Sequence, residues 1–172
     1  MPGVPALLPQ PTVRCGAPSQ RAVTLRFAAA DGVSLDGAIV GTGRIGVALL
    51  HEYPGPMCGW WPYATYLARH DVTALLFDFR CPGLLPGASL NSERAASTLR
   101  VPALFAVARD DRYVAVADMR AVYGRARSPV KSLTVLPAGA GHGWDMLIGP
   151  DFRWSPLARE VLAFIRAHAG PA

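Results

Sequence analysis

The stretch Val101-Pro-Ala-Leu-Phe-Ala-Val-Ala-Arg-Asp-Asp111 decides the fold. Val101 to Ala108 is a short, almost continuous apolar run, the pattern of a strand covered on both faces in a parallel sheet. It closes on two carboxylates. A helical pattern follows over Asp118 to Arg127, then a second apolar strand, Ser132 to Leu136, and then Ala140-Gly-His142-Gly143. This order sets an acid and an imidazole at the C-terminal ends of neighbouring parallel strands joined by a helical crossover, the side of an α/β sheet where sites form. Asp111 is favoured over Asp110 as the acid, which in such pairs follows the strand end by several residues. His142, held between glycines, offers an exposed imidazole and almost no packing surface. Asp145 reads as a cap or a surface charge.

Toward the N-terminus, Ala22 to Phe27 and Val33 to Val40 alternate as strands around the Asp31-Gly32 turn, a β-hairpin. Gly41-Thr-Gly-Arg-Ile-Gly46 matches the glycine fingerprint of dinucleotide-binding proteins. It leads into the β-like run Ile45 to Leu50 rather than a helix whose N-terminus would meet a pyrophosphate, so it reads as a hairpin turn. Trp60 to Arg69 has helical spacing with a proline in its first turn, and Val72 to Phe77 is an apolar strand closed by Asp78. Pro156 to His168 is a terminal amphipathic helix. A hairpin followed by alternating strands and helices predicts an α/β fold with a mostly parallel sheet. The strands ending at His51, Asp78, Asp111 and near Pro137 are expected to lie parallel in that one sheet.

The 172 residues bound this to one domain, expected over 21–172 after a disordered leader at 1–20 whose prolines interrupt any signal-like apolar run. Hydrophobic residues make up 51% of the chain, yet no run approaches the length of a membrane span, so a soluble protein with no membrane partner is expected. The net charge of +5 comes almost entirely from scattered arginines, Lys131 being the single lysine; without a basic stripe or a binding motif, nucleic acid is not expected as a partner. Cys15, Cys58 and Cys81 have no metal-ligand spacing, which points to a reducing, cytoplasmic compartment, with neither a metal nor a cofactor expected. His51, His70 and His168 read as a strand-end hydrogen bond, a helix C-terminus and a solvated helix end. Cys81 reads as a spectator thiol. Trp60-Trp-Pro-Tyr63 reads either as core anchors or as the lining of an acyl pocket.

Taken together, the opening hairpin, the strand into His51-Glu-Tyr, the helix from Trp60, the strand into Asp78-Phe-Arg-Cys-Pro-Gly, the strand into Arg109-Asp-Asp111 and the Gly-His142-Gly turn resemble the α/β-hydrolase superfamily, in its compact serine esterase and peptidase-like form. The resemblance implies a shortened three-layer sandwich with flanking helices and a hydrolase of small esters or amides. It further implies a catalytic triad of a serine with Asp111 and His142, and an oxyanion hole drawn from the backbone N–H of Glu52 or Tyr53 and of the residue after the serine.

The middle departs from that pattern. Only 23 residues separate Phe77 from Val101, whereas one strand–helix–strand unit needs roughly 30. The family places its nucleophile elbow there. Gly87-Ala-Ser-Leu-Asn91 keeps four positions of that elbow, which makes Ser89 the candidate nucleophile and Leu90 the second oxyanion donor, but Asn91 replaces the last glycine. Pro82 and Pro86 exclude a central strand before it. Two functions stay open: a serine hydrolase using Ser89, Asp111 and His142, or a non-catalytic, truncated hydrolase-fold scaffold. One short helix, Ser92 to Leu99, fits the connection.

Overall fold

The computed structural model describes residues 22–28, 32–50, 56–78, 92–149 and 153–170. The candidate residues Glu52, Tyr53, Ser89 and Leu90 lie outside them, as do His51, Cys15 and Cys81.

The described chain runs β1 (Ala22–Ala28), β2 (Ser34–Val40), β3 (Ile45–Leu50), a 3-10 turn (Met57–Trp60), α1 (Trp61–Ala68), β4 (Val72–Phe77), α2 (Ser92–Ala96), β5 (Ala103–Ala108), α3 (Val116–Arg125), β6 (Lys131–Leu136), a second 3-10 turn (Gly143–Leu147) and α4 (Pro156–His168). The hairpin forms as its alternation predicts, Phe27 opposite Leu35 and Ala22 opposite Val40. Pro62 sits in the first turn of α1, where its missing N–H costs nothing. α4 opens on Ser155, whose hydroxyl caps the Ala158 N–H at 3.3 Å. It carries Arg166 and His168 in its last turn, where cations favour the helix dipole.

Two expectations about the sheet are corrected. The described strands form two sheets, β1-β2-β4-β3 and β5-β6. The first is mixed rather than mostly parallel: β2 meets both β1 and β4 antiparallel, and only β3 runs parallel to β4. β5 and β6 pair in parallel, Ala103 opposite Lys131 through Ala108 opposite Leu136. The glycine loop is not a hairpin turn either, because β4 lies between β2 and β3. The loop passes beneath the turn from α1 into β4. A Cβ on Gly43 would overlap the Asp71 backbone, while the Thr73 hydroxyl donates to the Gly43 carbonyl at 2.7 Å. Close backbone approach, not phosphate binding, accounts for that glycine.

The faces of the sheets explain how the halves cohere. Cross-strand partners share a face, so Val40, Ala74 and Val47 line one side of the first sheet and Val23, Ile39, Leu75 and Ala48 the other. The former packs into the core with Tyr63, Leu67, Leu157, Ala158 and Leu162 from α1 and α4. On the opposite face Leu50 is 53% exposed, and Val23 is exposed too. The second sheet is sandwiched. Phe105 meets Tyr123 of α3 edge-on at 5.7 Å on one face, and Thr134 donates to Glu160 of α4 at 2.8 Å on the other. Leu104, Ala106 and Leu136 continue into the common core. Among the described residues the helix layer joins the sheets: both pack into the core that α4 shares, and the Tyr63 hydroxyl of α1 donates to the Ala158 carbonyl of α4.

Cys58 is disulfide-bonded, which runs against the reducing compartment expected from the cysteines. Its partner lies outside the described residues. Among the described residues no helix is long and apolar enough to cross a membrane.

Candidate active site

β5 delivers its two aspartates into a tight turn, and they divide the work. Both Asp110 carboxylate oxygens accept the Gly139 N–H, at 2.9 and 3.0 Å, which ties the loop after β6 to the end of β5. Asp111 turns the other way. Its Oδ1 accepts the N–H groups of Tyr113 and Val114 at 2.8 and 3.0 Å, and its Oδ2 lies 2.7 Å from His142 Nδ1.

Burial and hydrogen bonding oppose each other at this carboxylate. The Asp111 side chain is 2% exposed and that of His142 31%. Burial pushes the Asp111 carboxyl up, but the hydrogen bonds from His142 and from the Tyr113 and Val114 N–H groups, together with the His142 charge, outweigh it and hold the group below its ordinary value. Asp111 is therefore ionised at neutral pH and accepts only, so the 2.7 Å contact requires the proton on Nδ1 of His142. That tautomer turns the basic lone pair to Nε2.

The loop carrying His142 is shaped by its glycines. Gly141 has φ +83°, and a Cβ there would stand 2.8 Å from the Asp145 Cβ. The Asp145 N–H closes the turn on the His142 carbonyl at 3.1 Å, and its exposed side chain fits the surface-charge reading rather than a cap. Beyond the turn, the Ser155 hydroxyl donates to the Met146 carbonyl at 2.7 Å, locking the imidazole loop to the start of α4.

The ends of the first sheet reach the same neighbourhood. The Trp60 indole N–H donates to the Leu50 carbonyl at 3.1 Å, and the Met57 N–H to the Asp78 carboxylate at 2.7 Å, so the 3-10 turn is pinned across the C-terminal ends of β3 and β4. Trp144, two residues after His142, packs on that turn: a Cβ on Gly59 would meet its indole nitrogen at 3.6 Å. Of the aromatic cluster, Tyr63 is core, stacked on Tyr66 and edge-on to Trp154, and burial pushes its hydroxyl far above the usual tyrosine range. Trp60 remains at the rim.

The structure brings Asp111 and His142 together, whereas Ser89, Glu52, Tyr53 and Leu90 lie outside the described residues. Sequence reading missed Tyr113, whose ring lies 4.8 Å from that of His142, and treated Asp110 only as a rival to Asp111. The adjacent aspartates were the available signal for two roles. His70 packs edge-on against Tyr66 and His168 against Phe164, both away from the pair. An open cavity of about 400 Å³ lies at the other ends of β3 and β4, bordered by Arg44, Asp71 and Arg166, and takes no part in this arrangement.

No family model matches the chain, and no curated protein matches its sequence. Solved structures are similar. An esterase of Pyrococcus furiosus matches with a TM-score of 0.68 at 14% identity, over 88% of this chain and 94% of its own. A cold-adapted esterase from an Arctic intertidal metagenomic library matches with a TM-score of 0.60 at 12% identity, over 86% and 93%. At such identities the likeness is one of architecture, and with the mixed sheet and flanking helices it fits an α/β-hydrolase-like fold.

Proposed function

We propose that this chain is a hydrolase of small esters or amides with an Asp111–His142 acid–base pair, working slowly because its nucleophile, Ser89, stands in a degenerate elbow. The observation that carries the reading is the 2.7 Å contact between a buried, ionised carboxylate and the Nδ1 of a partly exposed imidazole. In this mechanism Nε2 of His142 takes the Ser89 hydroxyl proton as the oxygen attacks the ester carbonyl. Asp111 holds the tautomer and stabilises the imidazolium. The N–H groups of Leu90 and of Glu52 or Tyr53 meet the oxyanion, and the imidazolium returns its proton to the leaving alcohol. The esterase names of the structural neighbours support an ester as the substrate class. We place the protein in solution, with no nucleic acid, membrane or cofactor needed for this chemistry.

A second reading, a hydrolase-fold scaffold without chemistry, is favoured by the separation, among the described residues, of β3 from β5 into different sheets, since the family's elbow strand belongs between them. Hydrolysis of p-nitrophenyl acetate by the purified protein, set against Ser89→Ala and His142→Ala, discriminates the two. Slow turnover abolished by both substitutions supports the hydrolase. Turnover indifferent to Ser89→Ala, or none, leaves the scaffold.

A further inference from the structure

Tyr113 is the most exposed large hydrophobic side chain among the described residues, at 80%, yet it is not loosely placed. Its own N–H and that of Val114 are both held by Asp111 Oδ1, so the buried carboxylate that orients His142 also fixes the backbone that presents this ring. The ring is tilted by 51° across the imidazole, centroids 4.8 Å apart. Packing cannot be the reason for this arrangement, because a ring four-fifths in solvent buries little apolar area. What the arrangement does provide is an aromatic surface on a fixed backbone, beside the imidazole and open to solvent. Tyrosine suits such a place: two rotatable torsions make its large surface inexpensive to order, and its hydroxyl tolerates water.

We propose that Tyr113 is a specificity-determining residue of this site, its exposed ring forming the wall against which the planar, apolar part of a substrate, an aryl leaving group or an aromatic acyl group, packs as the ester approaches His142. The inference rests on the hydrolase reading for its substrate, but not for its test. Offset or edge-on aromatic contact adds about 0.5–1.5 kcal/mol beyond burial, which corresponds to roughly two- to tenfold in affinity.

The test is an NMR titration with 4-nitrophenol, the leaving group alone, following the His142 Cε1–H signal in the wild type, Tyr113→Phe and Tyr113→Ala, with the Tyr63 and Trp154 signals as controls for folding. The expected result is saturable displacement of the His142 signal in the wild type and Tyr113→Phe, and binding weakened by about two- to tenfold in Tyr113→Ala. In turnover, the Tyr113→Ala loss should fall on KM for p-nitrophenyl acetate and be much smaller for ethyl acetate, which has no ring. Equal 4-nitrophenol binding by all three proteins, or none by the wild type, overturns the proposal. A protein that binds 4-nitrophenol through Tyr113 but turns over no ester retains the Tyr113 wall and rejects the hydrolase reading.

Discussion

Replacing Asp111 by asparagine removes one charge from the centre of the arrangement while keeping its shape, and the cost follows from the contacts. Asparagine keeps a carbonyl oxygen for the Tyr113 and Val114 N–H groups, but presents either an amide N–H to the Nδ1–H of His142, a clash of donors, or forces the imidazole into its other tautomer. A hydrogen bond to a charged group contributes about 1.5–3 kcal/mol, and some is recovered by the tautomer change, so we expect Asp111→Asn to destabilise by about 1–2 kcal/mol at pH 7. For a chain of this size that is a fall in Tm of roughly 2–8 °C. The pH dependence carries the sharper test. Because the folded carboxyl titrates below its ordinary value of 3.8, its contribution is fully present above that value and is lost as pH falls through the lower folded value. Urea unfolding followed by circular dichroism should therefore show a wild-type advantage at pH 7 that closes once the solution is acid enough to protonate the wild-type carboxyl. Equal midpoints at pH 7, or a difference that persists once the wild-type carboxyl is protonated, would refute the account of Asp111 as an ionised, hydrogen-bonded anchor.

Three further outcomes are expected. Gly141→Ala combines a positive φ with a Cβ placed 2.8 Å from the Asp145 side chain, so it should destabilise by about 1–3 kcal/mol; a loss of the His142–Asp111 contact, read as a shift of the imidazole NMR signals, should accompany it, and unchanged signals would count against it. In hydrogen exchange, the β4 amides, flanked by β2 and β3, should be protected while the edge of β3 that no described strand covers exchanges quickly; strong protection of every β3 amide would mean that a further strand covers that edge. Tyr63→Phe removes the hydroxyl that bridges α1 to the Ala158 carbonyl at 3.2 Å, and should cost about 1 kcal/mol by thermal unfolding; a neutral result would show that the two sheets do not depend on that bridge.

How far the sequence foretells these features depends on the range of the interactions behind them. α4 is legible residue for residue because its apolar stripe and its opening proline are local. β5, β6 and α3 emerge within two residues of their expected ends for the same reason, and the order acid, helix, strand, imidazole is a local pattern that brings Asp111 to His142 once the two strands pair in parallel. Pairing itself is not local. Nothing in Ile45 to Leu50 tells whether its neighbour is β2, as a hairpin reading of the glycine loop supposes, or β4, as the structure has it. The pairing with β4 goes together with Gly43 fitting under Asp71, a contact between residues 28 apart in the chain.

The same distinction explains the exposed face of the first sheet. Val72-Thr-Ala-Leu-Leu-Phe77 is apolar enough for burial on both sides, but composition records what a strand tolerates and not what covers it. α1 and α4 cover Val72, Ala74 and Leu76, whereas Thr73, Leu75 and Phe77 on the other side stay only partly buried. A strand written for two covers and given one complete cover among the described residues is a local choice at odds with its surroundings, and such conflicts weigh against a deep native basin. The Asp111–His142 pair escapes the conflict because it hangs on the sandwiched second sheet and on α4. Geometry at the pair can therefore persist in a molecule whose other half is weakly covered, and an intact pair is not by itself a measure of turnover, which depends on the nucleophile reaching Nε2.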